Sequence, residues 1–137
     1  MPQLTGKTRP QFRNIHPAQI LSYRLPAAGI VSILHRVSGI LLFLIGLPFL
    51  LYLFDNSLSS ELSYQSYRSV ANHWFTKLVL IVLTWGYLHH FCAGIRYLLL
   101  DLHRGLEKQQ SHNSAIAVFA VSLFLTLLVA LKILGAF

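Results

Sequence analysis

The stretch SILHRVSGILLFLIGLPFLLYLF, Ser32 to Phe54, decides the fold. After Arg36 no charged residue follows until Asp55. Counted from Ile30, the run exceeds the roughly 20 residues that a helix rising 1.5 Å per residue needs to cross a bilayer core. It therefore reads as a membrane span, but one whose first turns carry a hydroxyl, an imidazole and a guanidinium. Ser32 and Arg36 stand one helical turn apart on a shared face, and His35 lies beside them. An arginine within a span is expensive, roughly 2.5 to 3.5 kcal/mol at the centre on an insertion scale, so its presence needs a physical reason.

Working outward, two more apolar runs of sufficient length appear, Trp74 to Leu100 and Ala115 to Phe137. None of the three alternates with a period of two, as the strands of a membrane barrel would. The reading is an all-α membrane protein with three transmembrane helices, at about 30–54, 74–100 and 115–137. An amino-terminal arm over residues 1–29 precedes this anchor domain of residues 30–137. Composition agrees: of 137 residues, 55% are hydrophobic and only 11% charged, against about a quarter charged in soluble domains. The net charge of +7 forms no basic stripe interleaved with aromatics, which argues against nucleic acid. Basic residues gather instead in the arm (Lys7, Arg9, Arg13, Arg24) and after the second span (Arg104, Lys108), with Arg96 just inside it. Positive-inside bias then puts the amino terminus and the second link inside, and the carboxy terminus outside. Lys132 near the outer end snorkels to headgroups. The lone cysteine, Cys92, rules out an internal disulfide and reads as a small apolar residue. No internal repeat is visible, and the arm lacks the pattern of a cleavable signal peptide.

The polar groups at the first helix entry admit two readings. Arg36 either snorkels back to phosphates, with Ser32 bonded to its own backbone, or forms part of a pocket for an electron-rich oxygen. A second constellation is HHFCAGIR, His89 to Arg96. Adjacent histidines on a helix point about 100° apart and do not share one metal. His90 shares a face with Gly94, where a missing side chain lets a flat cofactor or another helix approach. As a lone membrane histidine, His90 is either an interhelical hydrogen-bonding group or an iron ligand. His89, His73, His103 and His112 carry no functional expectation. With the first helix entering and the second leaving at the inner face, His35 lies about 9 Å and His90 about 15 Å from that boundary.

Two motifs give these residues a context. RLPAAGIVSILHRVSG, Arg24 to Gly39, preceded by Arg9-Pro10, and HFCAGIRYLLLD, His90 to Asp101, carry the patterns S-x-x-H-R-x-[ST]-G and H-x-x-x-G-[IV]-R-x-x-x-x-D. The chain thereby resembles, across all three helices, the cytochrome b556 subunits of succinate dehydrogenase, membrane anchors of bacterial complex II. The resemblance implies a larger bundle formed with a second three-helix anchor beneath an iron-sulfur subunit and a flavoprotein subunit. It implies that His90 is one axial ligand of a haem b iron, the other ligand coming from the partner anchor. It further implies that Ser32 and Arg36 contribute to a ubiquinone site, and that His35 and Arg36 hold haem propionates. Tyr97 departs from members with a histidine there, and can donate a hydrogen bond but not a positive charge. Succinate oxidation itself belongs to another subunit, because no nucleotide-binding glycine loop or flavin site is recognisable in this chain. A haem-free scaffold or transport subunit, with the same polar groups as interhelical glue, is the competing reading, and a haem held within this chain by His35 and His90 is another. A bacterial inner membrane is the expected location.

Overall fold

The computed structural model describes residues 16–135; Arg9 and Pro10 lie outside them. A short helix α1, Pro17–Ser22, leads through Pro26 into α2, Ala27–Leu41. A π-helical stretch, Leu42–Gly46, joins α2 to α3, Leu47–Leu58. Helix α4 covers Glu61–Asn72, α5 Trp74–Asp101 and α6 Lys108–Leu134. The segments Ala27–Leu58, Trp74–Asp101 and Lys108–Leu134 are three helices long and apolar enough to span a membrane.

The π stretch has a cause in the sequence. Pro48 sits in the first turn of α3, deep inside an otherwise continuous span, where it lacks an N–H and its ring crowds the carbonyl four residues back. A widened turn just before it relieves both problems. The buried positions along this span are Val31, Ser38, Gly46 and Leu53. They recur at seven, then eight, then seven residues, and the wide turn absorbs the extra one, so a single stripe keeps facing the neighbouring helices.

Helix α5 is the hub. Its buried stripe, Thr76, Leu83, Gly86, His89, Ala93 and Arg96, follows the near-3.5-residue spacing of left-handed helix packing. It meets a stripe of small residues on α6, Ala115, Val118, Ser122 and Thr126, which lets the two backbones approach. The hydroxyls of Ser122 and Thr126 bond back to the carbonyls of Phe119 and Ser122 at 3.2 and 2.7 Å, so neither is stranded in the apolar interface. Val31, Ala93, Ala115 and Val118 form the core where α2, α5 and α6 meet.

Three differences from the sequence reading stand out. The first span extends past Phe54 to Leu58, and Asp55 to His73, read as a link, contains α4. Ser60 caps that helix reciprocally with Ser63, at 3.1 Å from Ser63 N–H to Ser60 Oγ and 2.9 Å from Ser60 N–H to Ser63 Oγ, a capping box made with serine in place of glutamate. The third helix begins at Lys108, seven residues before the apolar run at Ala115, because its first two turns are polar.

Candidate functional site

Helices α2 and α5 run antiparallel in a register that glycines reveal. A Cβ on Gly39 would meet His90 Cε1 at 3.0 Å, one on Gly94 would meet His35 Nε2 at 3.8 Å, and one on Gly46 would meet a Leu83 methyl at 3.3 Å. His35 and His90 therefore face each other across the seam between the helices. Their rings stack with centroids 4.1 Å apart and planes 12° from parallel. Tyr97 leans against His35 with ring centroids 5.2 Å apart, and its hydroxyl is buried without a partner among the described residues.

The Nδ1 atom of His90 lies 3.0 Å from the backbone carbonyl oxygen of His35 and 3.2 Å from Ser38 Oγ. A carbonyl only accepts, so the ring proton sits on Nδ1 and points at it. The Ser38 hydroxyl donates to the same carbonyl at 3.0 Å, leaving its own lone pairs toward Nδ1. This arrangement turns Nε2 of His90 into the unprotonated, basic nitrogen, the outer-sphere device by which ligating histidines are oriented. Gly39 supplies the space for the ring: a side chain there would press on it at a distance that forces something to move. His90 thus has the tautomer and the cradle that an axial ligand requires.

Around α2, Ser38 is buried, Ser32 and His35 are half-buried and Arg36 is exposed. Successive steps of 100° per residue carry this surface from the core out through the seam, so Ser32 and Arg36 flank its open side. Of the expected grouping of Ser32, His35, Arg36 and His90, the structure brings His35 and His90 into contact; Ser32 and Arg36 lie one turn apart on α2 beside that pair. Among the described residues no three metal-ligating side chains gather.

His89 behaves differently. It is fully buried, 5.4 Å by ring centroids from both Trp85 and Phe119, and neither nitrogen has a hydrogen-bond partner among the described residues. It sits in the core between Phe119 of α6 and the Val31 backbone of α2.

Arg96 is the group whose role sequence reasoning missed. Counted there only as a topology signal, it is 5% exposed and clasps the start of α6. Its Nε donates to Ser114 Oγ at 2.9 Å, and Nη2 donates to Ser111 Oγ at 3.0 Å and to the Ser111 carbonyl at 3.2 Å. Ser114 in turn donates to that carbonyl at 3.1 Å. The signal was present in the polar run SHNS, which becomes informative only once it is known to be helical. Ser38 and Gly39 were also missed as partners of His90, although both lie within the entry motif.

Residues 8–129 match the family described as the succinate dehydrogenase/fumarate reductase transmembrane subunit. The chain belongs to that family. It is similar to the succinate dehydrogenase cytochrome b556 subunit of Paracoccus denitrificans, 32% identical over 106 residues that cover 77% of this chain and 81% of that one. The corresponding subunit of Coxiella burnetii is 33% identical over 104 residues, 75% of this chain and 82% of its own. That of Rickettsia felis is 27% identical over 128 residues, covering 89% and 96% respectively. Family membership makes the chain a multi-pass membrane subunit of a bacterial succinate dehydrogenase, and the α2–α5 cleft is its candidate cofactor-facing surface.

Proposed function

We propose that the chain is the haem-bearing anchor of a succinate:quinone oxidoreductase, passing electrons that originate in succinate on to ubiquinone. The observation that carries this reading is the hydrogen bond from His90 Nδ1 to the His35 carbonyl, which frees Nε2 for iron. Haem b, when bound with a second histidine from the partner anchor, supplies a one-electron centre with no open coordination position. His35 and Arg36 hold its propionates. Arg36 and Ser32 also bind quinone oxygens, the hydroxyl donating to a carbonyl and the guanidinium stabilising negative charge as the ring is reduced. An iron-sulfur subunit and a flavoprotein subunit complete the assembly, with the amino terminus inside and the carboxy terminus outside the inner membrane.

The relatives are cytochrome b556 subunits, which supports a b-type cytochrome, and the motif positions support the residues. The alternative in which His35 and His90 both ligate one haem inside this chain requires their rings, stacked with centroids 4.1 Å apart, to separate. In the scaffold reading the purified complex shows no haem absorbance; in ours its reduced-minus-oxidised spectrum has b-type bands. For Arg36→Leu, quinone reduction falls at least tenfold, the loss of one charge-assisted bond of about 1.5 to 3 kcal/mol, while succinate oxidation by a soluble dye stays intact. Quinone turnover at the wild-type rate contradicts the assignment of Arg36.

A further inference from the structure

On the side of α5 turned away from His90, a groove of about 540 Å³ runs between α5 and α6. This lies within the range of about 300 to 1,000 Å³ usual for small-molecule sites. Its walls are apolar side chains, among them Cys92, Leu99, Val118 and Val121, and at its upper end stand Arg96 and Arg104. No carboxylate lines it. Cys92 and Leu99 are roughly half a turn around the helix from His90, so the groove is separate from the candidate cofactor cleft.

Two features hold the cations in place. The end of α5 is closed by paired bonds, His103 N–H to the Leu100 carbonyl at 2.9 Å and Arg104 N–H to the Leu99 carbonyl at 3.0 Å. His103 takes the left-handed conformation that this closure needs, φ 58°. The turn folds Arg104 back over the last turn of its own helix. Arg96 is fixed through Nε and Nη2, which leaves Nη1 without a bond among the described residues and still accessible.

We propose that this groove seats a phospholipid with an anionic headgroup, its phosphate held by Arg104 and by Nη1 of Arg96 and one acyl chain lying along Leu99, Val118 and Val121. The apolar slot descends about 12 Å between Leu100 and Cys92, starting at the end of the span, which is where a lipid has its phosphate and where its chain begins. Guanidinium groups match phosphate oxygens in geometry as well as charge, and basic pockets between membrane helices select anionic headgroups. The inference rests on helix packing alone and not on the haem assignment.

The test is native mass spectrometry of the delipidated complex, titrated with palmitoyl-oleoyl phosphatidylglycerol and with the matching phosphatidylcholine. Phosphatidylglycerol is retained preferentially by the wild type. Arg104→Gln, an exposed change in a turn, weakens that retention about fivefold. Ala117→Phe, which fills the slot without altering charge, weakens retention of both lipids. Equal retention of the two lipids by the wild type, or competition by inorganic phosphate at the lipid concentration, overturns the proposal. So does indistinguishable behaviour of the wild type and both variants, the outcome if a partner helix covers the groove.

Discussion

Helix α5 meets its two neighbours by opposite strategies. Toward α6 it presents Arg96, bonded to two serines, and His89, buried without a hydrogen-bond partner among the described residues, against a stripe of small residues on that helix. Toward α2 it presents His90, Gly94 and Tyr97, with Ser32 and Arg36 on the open edge of the seam and a buried tyrosine hydroxyl left unpaired. The first interface is clasped by side-chain hydrogen bonds within the chain, whereas the second carries the stacked histidines that we propose face a cofactor. The adjacent residues His89 and His90 differ accordingly: a rotation of about 100° buries one in the three-helix core and stacks the other on His35.

Breaking the closed side has the largest effect on stability. Arg96→Leu leaves the hydroxyls of Ser111 and Ser114 without their donor, and thermal unfolding of the detergent-purified complex shows a loss of about 2 to 3 kcal/mol. Bands at unchanged wavelengths in the surviving folded fraction show that the two sides are independent; shifted bands show that the clasp also sets the cleft.

Perturbing the open side costs less stability and acts on the ligand. Gly39→Ala places a methyl group 3.0 Å from His90 Cε1, so that the ring must give by a few tenths of an ångström, and shifts or weakens the haem bands. Gly94→Ala, whose added methyl meets His35 at an ordinary 3.8 Å, leaves them in place. Equal behaviour of the two variants refutes the claim that Gly39 is the cradle.

The smallest change has the opposite sign. His89→Leu swaps a buried imidazole without hydrogen-bond partners for an apolar side chain of similar bulk. Stability stays level or rises by up to about 1 kcal/mol, because a buried polar group without a partner carries an uncompensated desolvation cost. A loss above about 2 kcal/mol in the same unfolding assay means that His89 has a polar partner in the complex.

The three spans were legible because hydropathy over a bilayer's thickness is a strong local signal, and depth put His35 and His90 in the same half of the bundle, about 9 and 15 Å from its inner boundary; that their rings stack directly was not legible. Other features were hidden for a common reason. That Gly39, rather than Gly94, makes room for the His90 ring depends on cross-helix register, which a single sequence does not state. Arg96 looked like a topology marker because its serine partners lie in the polar opening of α6, where no apolar period announces a helix. Helix α4 was missed for the same reason: ELSYQSYRSVAN is too polar to show a buried stripe, and its serine capping pair resembles loop composition.

The central claim is that His90, and not its neighbour, presents the ligating nitrogen. Its most direct test is haem content with the reduced-minus-oxidised spectrum of the purified complex carrying His90→Ala, measured beside His89→Ala. The account predicts that the b-type bands vanish or are markedly altered in the first and persist in the second. Intact bands in His90→Ala, or their loss in His89→Ala alone, contradict it.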